Sequence, residues 1–351
     1  MYGSFTGRTR RGTGPGARTR AAAIRTMGAT GAVALALLLP GCSSDDGGDD
    51  RPPIAQQPKA TDPYWVNPDG KAARQLAEYR EGGDDKNAAL VEKIAGQPVG
   101  EWIGPDNPEA EAKGFTEAAR KADREALLVL YNIPHRDCGQ YSKGGAADGN
   151  AYRAWVDEVA KGIGDRPATV VLEPDAVLHL VDGCTPDEYH EERYDLLKGA
   201  IARLKKQPAT KVYLDAGNAG WSQPDSLFEP LQWAGVAEAD GFSVNVSNFQ
   251  TTAASKDFGK RLSAKVGGKP FVIDTSRNGN GPYTQGDPKE NWCNPPGRAL
   301  GEPPTTKTGD PLVAAYLWVK RPGESDGDCK GGPKAGDWYP AYALELARNT
   351  E

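Results

Sequence analysis

Ala168-Thr169-Val170-Val171-Leu172-Glu173-Pro174-Asp175-Ala176-Val177 is an apolar run that delivers two carboxylates and a proline at its end. A continuous apolar stretch of this length reads as a buried strand. An acid at the tip of such a strand, facing a cleft, is partly desolvated, so its pKa rises and it keeps its proton near neutrality. A carboxylic acid held neutral is what a general acid must be. One carboxylate decides nothing, because strand ends also carry helix-capping aspartates. The reading turns on whether partners stand elsewhere in the chain.

Outward from this run the same alternation continues. Ala126 to Ile133, Lys211 to Leu214, Gly241 to Val246, Pro270 to Ile273 and Val313 to Val319 read as strands, with amphipathic helices between them. Ala151, Trp155, Val159 and Ile163 recur at spacing four, which predicts one buried helix face with Arg153, Asp157 and Lys161 outward. Thr185-Pro186-Asp187-Glu188 has the form of a capping box with proline in the first turn, and the helix it opens closes on Lys205 and Lys206. Strand–helix alternation predicts one α/β domain, a parallel sheet covered by helices and closed into a barrel. No internal repeat at solenoid spacing occurs. In such barrels the site lies at the carboxyl ends of the strands.

The strand ends carry polar groups in unusual density. They read Tyr131 to Cys138, Glu173-Pro174-Asp175, Asp215 to Trp221, Asn245 to Asn248, Asp274 to Gly279 and Lys320 to Gly327. A single aspartate at such a place is more often a turn or cap residue. A carboxylate or amide at nearly every strand end is not explained that way.

Composition narrows the chemistry. The first 41 residues contain six arginines and no acids, followed by the apolar run Gly31 to Pro40, which predicts a secretory signal. That run is too short to span a bilayer. It ends in Leu39-Pro40-Gly41-Cys42, the form of a bacterial lipobox, so Cys42 is the expected lipidation site of a cell-surface lipoprotein. Residues 42–61 are polar, acidic and proline-bearing, a flexible linker, and residues 62–351 form the folded domain. Setting Cys42 aside leaves Cys138, Cys184, Cys293 and Cys329, an even set suited to two disulfides in an oxidising compartment, with three pairings open. No cysteine pair has metal-site spacing, and neither a metal nor an organic cofactor is expected. Without the six leader arginines, 36 basic residues face 48 acidic ones, a formal charge of −12. That excludes a nucleic-acid partner, which needs basic surface. It suits a neutral ligand gripped by carboxylates and aromatics.

The chemistry that needs such a set is glycoside hydrolysis: a protonated carboxylic acid at the leaving oxygen and a carboxylate across the ring. Trp221 and Trp292, set in loops rich in glycine, asparagine and proline, are expected as sugar platforms, whereas Trp155 and Trp318 are expected in the core. Other nucleophile schemes fail. His135, His179 and His190 sit in no Ser-His-Asp pattern, and no Gly-x-Ser-x-Gly elbow or phosphate-binding glycine loop occurs.

Taken together, these strand-end motifs resemble glycoside hydrolase family 6, the cellulases and cellobiohydrolases. The pieces that carry the resemblance are Tyr131 to Cys138, Val171 to Val177, Tyr213 to Trp221, Gly241 to Asn248, Asp274 to Gly279, Asn291 to Gly301 and Trp318 to Gly327, in family order. The resemblance implies a distorted seven-stranded (β/α) barrel and an inverting β-1,4-glucanase acting on a β-glucan polysaccharide or oligosaccharide. It implies Asp175 as general acid, Asp137 as the aspartate that tunes it and organises water, and Asp326 as proposed base. Tyr131, Asp215, Asn245, Trp102, Trp292, Lys320 and Glu324 match sugar-binding positions, and Ser142 lies in the loop Gly139 to Gly145 that closes over the site. The family's disulfides correspond to Cys138–Cys184 and Cys293–Cys329. Asn218 stands where the family has histidine; it keeps hydrogen-bonding capacity but has no titratable group. The short segment Gly327 to Trp338 implies an open cleft and internal cleavage. The expected protein is a monomer that touches the membrane only through a lipid anchor. The alternatives are an exo-acting cellobiohydrolase, a hydrolase of another β-glucan and a non-catalytic glucan-binding lipoprotein.

Overall fold

The computed structural model describes residues 63–137 and 141–350. The expected signal segment, Cys42, the linker and the Cys138–Cys184 pairing therefore lie outside, or depend on residues outside, the described residues. Among the described residues no helix is long and apolar enough to cross a membrane.

Seven parallel strands hydrogen-bond in sequence order: β1 (Glu101–Ile103), β2 (Ala126–Leu130), β3 (Ala168–Leu172), β4 (Thr210–Asp215), β5 (Gly241–Val244), β6 (Phe271–Asp274) and β7 (Val313–Leu317). Helices α1 (Lys71–Glu81) and α2 (Asp85–Ala95) precede the sheet. The crossovers carry α3 (Pro108–Lys121), α4 (Gly149–Ile163), α5 (Leu178–Val181), α6 (His190–Leu204), α7 (Pro224–Trp233) and α8 (Thr252–Lys265), and α9 (Pro340–Arg348) follows β7. Alternation lapses only between β6 and β7, where the long connection contains a single 3₁₀ turn, Pro288–Glu290. The chain thus has the parallel sheet covered by helices that the alternation predicts, in the distorted seven-stranded (β/α) barrel form that the resemblance implies. The three-residue β1 is too short to register as an apolar run.

The period-two geometry of a strand sorts each side chain to one face. Leu128, Leu130, Val170, Leu172, Leu214 and Ile273 join the core under the helices. Leu127, Val129, Val171, Tyr213, Val272 and Leu317 point the other way and fill the barrel interior with Tyr64. Both faces are apolar, which is why these strands read as continuous runs rather than alternating ones. Each such side chain fully withdrawn from water stabilises by roughly 1.5–3 kcal/mol.

β1 and β7 do not pair as strands. Their seam is closed by irregular contacts: Gly100 N–H donates to Trp318 O at 2.9 Å, Trp102 Nε1 to Val319 O at 3.0 Å and Arg321 Nε to Gly100 O at 2.8 Å. A Cβ at Gly100 would stand 2.7 Å from Val319 O and from Val129 Cγ2, so this close approach requires glycine.

Several expectations about local limits need correction. The strands read as ending at Ile133, Val246 and Val319 stop at Leu130, Val244 and Leu317. Side chains take over the ladder there. Glu173 accepts the N–H groups of Asn132 and Ile133, and Asp274 accepts those of Val319 and Lys320. At Asn245 the backbone turns to φ +68°. In α4, Ala151 is exposed and Tyr152 takes the buried place, beside Trp155, Val159 and Ile163. The capping box does not form either. Thr185 Oγ1 is buried without a partner among the described residues, Asp187–Tyr189 is a 3₁₀ turn, and α6 begins at His190, whose Nε2 bonds Thr185 O at 2.8 Å.

Candidate active site

The carboxyl ends of the strands converge on one cluster of acids. Asp137, Glu173 and Asp175 all hold positive φ, at +57°, +50° and +66°. Non-glycine residues rarely adopt this conformation, and such strain persists only where surrounding bonds over-determine it. The bonds are present. Glu173 is fully buried and anchors the turn after β2 through Asn132 and Ile133. Arg193, 2 % exposed on α6, donates to Pro134 O and His135 O on that turn and to Ala176 O after β3. Glu173 and Arg193 therefore lock the Asp137 turn to the Asp175 turn.

Asp175 is half-buried, and its backbone N–H donates to Asp215 Oδ1 at 3.0 Å. Asp215 also accepts Gly217 N–H and the Ser243 hydroxyl, both at 3.0 Å. Burial raises the pKa of both acids. The Asp175 charge raises Asp215 further, and Asp137 and Asp182 raise Asp175, with His179 opposing them. The pair therefore keeps one proton above the ordinary carboxylate range. Three donors aimed at Asp215 oppose its rise, and Asp175 is the more accessible of the two.

Asp137 is also raised, by burial, although the Ser142 N–H that it accepts at 2.6 Å, His179 and Arg136 pull the other way. Arg136 stacks 4.5 Å over the Tyr131 ring, and its Nε donates to Ser142 O at 2.9 Å. Trp102 meets the other side of Tyr131 edge-on at 5.6 Å. Burial, and then the charges of Asp175 and Asp137, push the Tyr131 phenol well up. Tyr131 remains a neutral aromatic wall.

Asp326 is held differently. Burial pushes its carboxyl up, but Arg277 at 2.8 Å, Lys320 at 3.2 Å and Asn294 N–H at 3.0 Å outweigh that and hold it below the usual range. Asp326 is the acid of the set that its neighbours hold toward the ionised form. The Cys293–Cys329 disulfide brackets this corner, joining the segment of Asn294 to that of Asp326.

Other expected residues fall in two groups. Trp221 is 43 % exposed in the loop after β4, Trp292 and Trp102 are half-buried, and Trp155 and Trp318 lie in the core as expected. Tyr141 packs on Trp292 at 5.9 Å, and a Cβ on Gly327 would lie 2.5 Å from the Tyr141 ring. The loop carrying Ser142 thus reaches the segment after Asp326. Asn245 and Glu324, expected to bind sugar, are both bonded to protein groups. Asn245 is fully buried, its amide bonded to Gln250 and Asp274, and Glu324 pairs with Lys71 at 2.9 Å and Arg321 at 3.3 Å. Asn218 is 4 % exposed and caps Gly220 N–H at 2.9 Å. Sequence reasoning missed Arg136, Arg193 and Arg277. An arginine preceding Asp137 was the only hint of the first, and the other two gain meaning from partners 17 to 59 positions away.

Three comparisons bear on this geometry. The family model "Glycosyl hydrolases family 6" matches residues 59–350. Endoglucanase A of Cellulomonas fimi is 46% identical over 298 residues, 83% of this chain and 62% of that protein. Endoglucanase 1 of Streptomyces halstedii is 40% identical over 297 residues, covering 82% and 88%. Among solved structures, an endoglucanase from Mycobacterium tuberculosis in complex with a thio-linked cello-oligosaccharide superposes with a TM-score of 0.77 at 42% identity, covering 84% of this chain and 99% of that one. The chain spans less than two thirds of the length of the Cellulomonas fimi relative.

Proposed function

The chain belongs to glycosyl hydrolase family 6, and on that premise we propose that it cleaves internal β-1,4-glucosidic bonds of cellulose or a related β-glucan with inversion. The observation that carries this reading is Asp175: half-buried, in a left-handed backbone conformation, coupled to Asp215 and keeping its proton above the ordinary carboxylate range. Asp175 protonates the leaving oxygen. Asp137 raises Asp175 by its charge and, with the Ser142 segment, orients the attacking water. Asp326 remains ionised and receives the released proton through water. Trp221, Trp292 and Tyr131 supply aromatic faces for the sugar rings, and Lys320, ion-paired with Asp326, a donor for a sugar hydroxyl.

The relatives named endoglucanases support internal cleavage. The contact of Tyr141 with Trp292 favours a second reading, exo action from a roofed site. A viscosity assay on carboxymethylcellulose separates them: internal cleavage drops viscosity steeply per reducing end released. Asp175→Asn is expected to keep the fold and lower activity by roughly 10²-fold or more; near-normal turnover would sink the assignment. The first product detected by proton NMR should be the α-anomer. We propose attachment to the outer face of the membrane through Cys42, checked by metabolic lipid labelling of wild type and Cys42→Ala.

A further inference from the structure

Beside the acids lies a histidine that the reaction as proposed leaves unused. His179 stands one turn after Asp175 in α5, its N–H donating to Asp175 O at 2.9 Å. It is 3 % exposed. Nδ1 lies 3.3 Å from Asp182 Oδ2, while Nε2 is buried with no hydrogen-bond partner among the described residues. Trp221 covers the ring edge-on, 5.3 Å between centroids at 75°. Asp182 is itself fixed, accepting Cys184 N–H at 2.9 Å. A core histidine serving only as packing has both nitrogens satisfied, because an orphaned buried nitrogen is costly. Here one nitrogen is anchored on a carboxylate and the other is bare beside an active-site acid.

The charged groups around it come from four elements. Asp175 and Asp182 flank it on its own segment, and Asp137 with Arg136 comes from the turn after β2. Asp215 lies beyond Asp175 at the end of β4, and Arg193 of α6 lies near Asp182. Acids dominate this surround. A positive charge on His179 would lower both Asp175 and Asp137.

We propose that His179 is a positioning residue for the proton donor: Asp182 holds its imidazole beneath Trp221, and its charge, not a contact with sugar, sets how readily Asp175 releases its proton. This inference rests on the reading of Asp175 as general acid. It adds an anchored imidazole that a lone strand-end carboxylate lacks.

Two readouts on the full chain test it. In His179→Gln, kcat/KM on a soluble cello-oligosaccharide is followed from about pH 4 to 9. Loss of the cation makes Asp175 hold its proton longer, so the alkaline limb moves up by roughly half a unit or more, with KM within about twofold. In the second, NMR follows the His179 imidazole in wild type, Asp182→Asn and Asp175→Asn. Each variant removes an anion, so the titration midpoint falls in both. Linkage requires the Asp175→Asn shift to match the kinetic shift in His179→Gln within a few tenths of a unit. An unmoved alkaline limb in folded His179→Gln, or an imidazole indifferent to Asp175→Asn, overturns the proposal. A wild type without glucan hydrolysis, or an active Asp175→Asn, overturns the functional reading instead. The NMR comparison still decides the coupling in that case, and also if His179→Gln fails to fold.

Discussion

Asp175 and Asp326 are two aspartates with opposite electrostatic fates, each set by its surroundings. Asp175 has burial and neighbouring acids, so it holds a proton; Asp326 has Arg277 and Lys320, so it loses one. Because Asp137 raises Asp175, Asp137→Asn is expected to move the alkaline limb of kcat/KM to lower pH, the opposite sense to His179→Gln. Initial rates across the pH range check this, and a limb that moves up contradicts the arrangement. Arg277→Met strands a buried carboxylate, with an expected cost of about 3–5 kcal/mol in denaturant unfolding at neutral pH. The folded pKa of Asp326 is depressed, so its contribution to stability is present above the ordinary aspartate value and is lost as pH falls through the folded one. Arg277→Met should therefore cost less in acid.

At the scale of elements, strand ends are built by side chains that replace ladder bonds. Glu173 does this between β2 and β3, and burial lifts its carboxyl from 4.5 to about 7 despite the N–H groups of Ile133 and Asn132. The folded state then binds more protons than the unfolded one between those values. Stability consequently declines as pH rises through that window, by about 3 kcal/mol from this group alone. Melting temperatures from pH 4.5 to 7 should show the decline in wild type and a flatter profile in Glu173→Gln. The loop carrying Tyr141 offers a second test. Gly327→Val puts a side chain where the Tyr141 ring lies, so the ring must leave Gly327 and Trp292. Turnover should fall by roughly tenfold or more with little change in thermal stability, and Trp292 fluorescence reports the displacement.

At the scale of the molecule, the barrel closes without a β1–β7 ladder, and its last connection is long and lacks an α-helix. The Cys293–Cys329 bridge spans a sequence separation of 36 and joins that connection to the segment after β7. Replacing both cysteines with serine is expected to cost about 4 kcal/mol by loop-closure entropy. Activity should fall along with stability, because Asn294 N–H and Asp326 lose their shared frame. Full activity in the serine variant would show that the corner is held by its ion pairs alone.

What the sequence by itself determined is whatever local chemistry enforces. Apolar runs such as Ala168 to Leu172 had to be buried strands, and alternation with helices left a parallel barrel with its acids at one end. Asp137, Asp175, Asp215 and Asp326 were legible because a carboxylate at a strand tip has few other uses in such number. Tertiary structure decided what each acid does. Whether Asp326 pairs with Arg277, whether Asn245 and Glu324 face a sugar or the protein, and whether His179 stands beside Asp175 with a bare nitrogen all depend on desolvation and on charges brought together by the fold. Electrostatic energy falls with distance in space, not along the chain. Residue type and order located the acids, and only the folded environment sets where their protons reside.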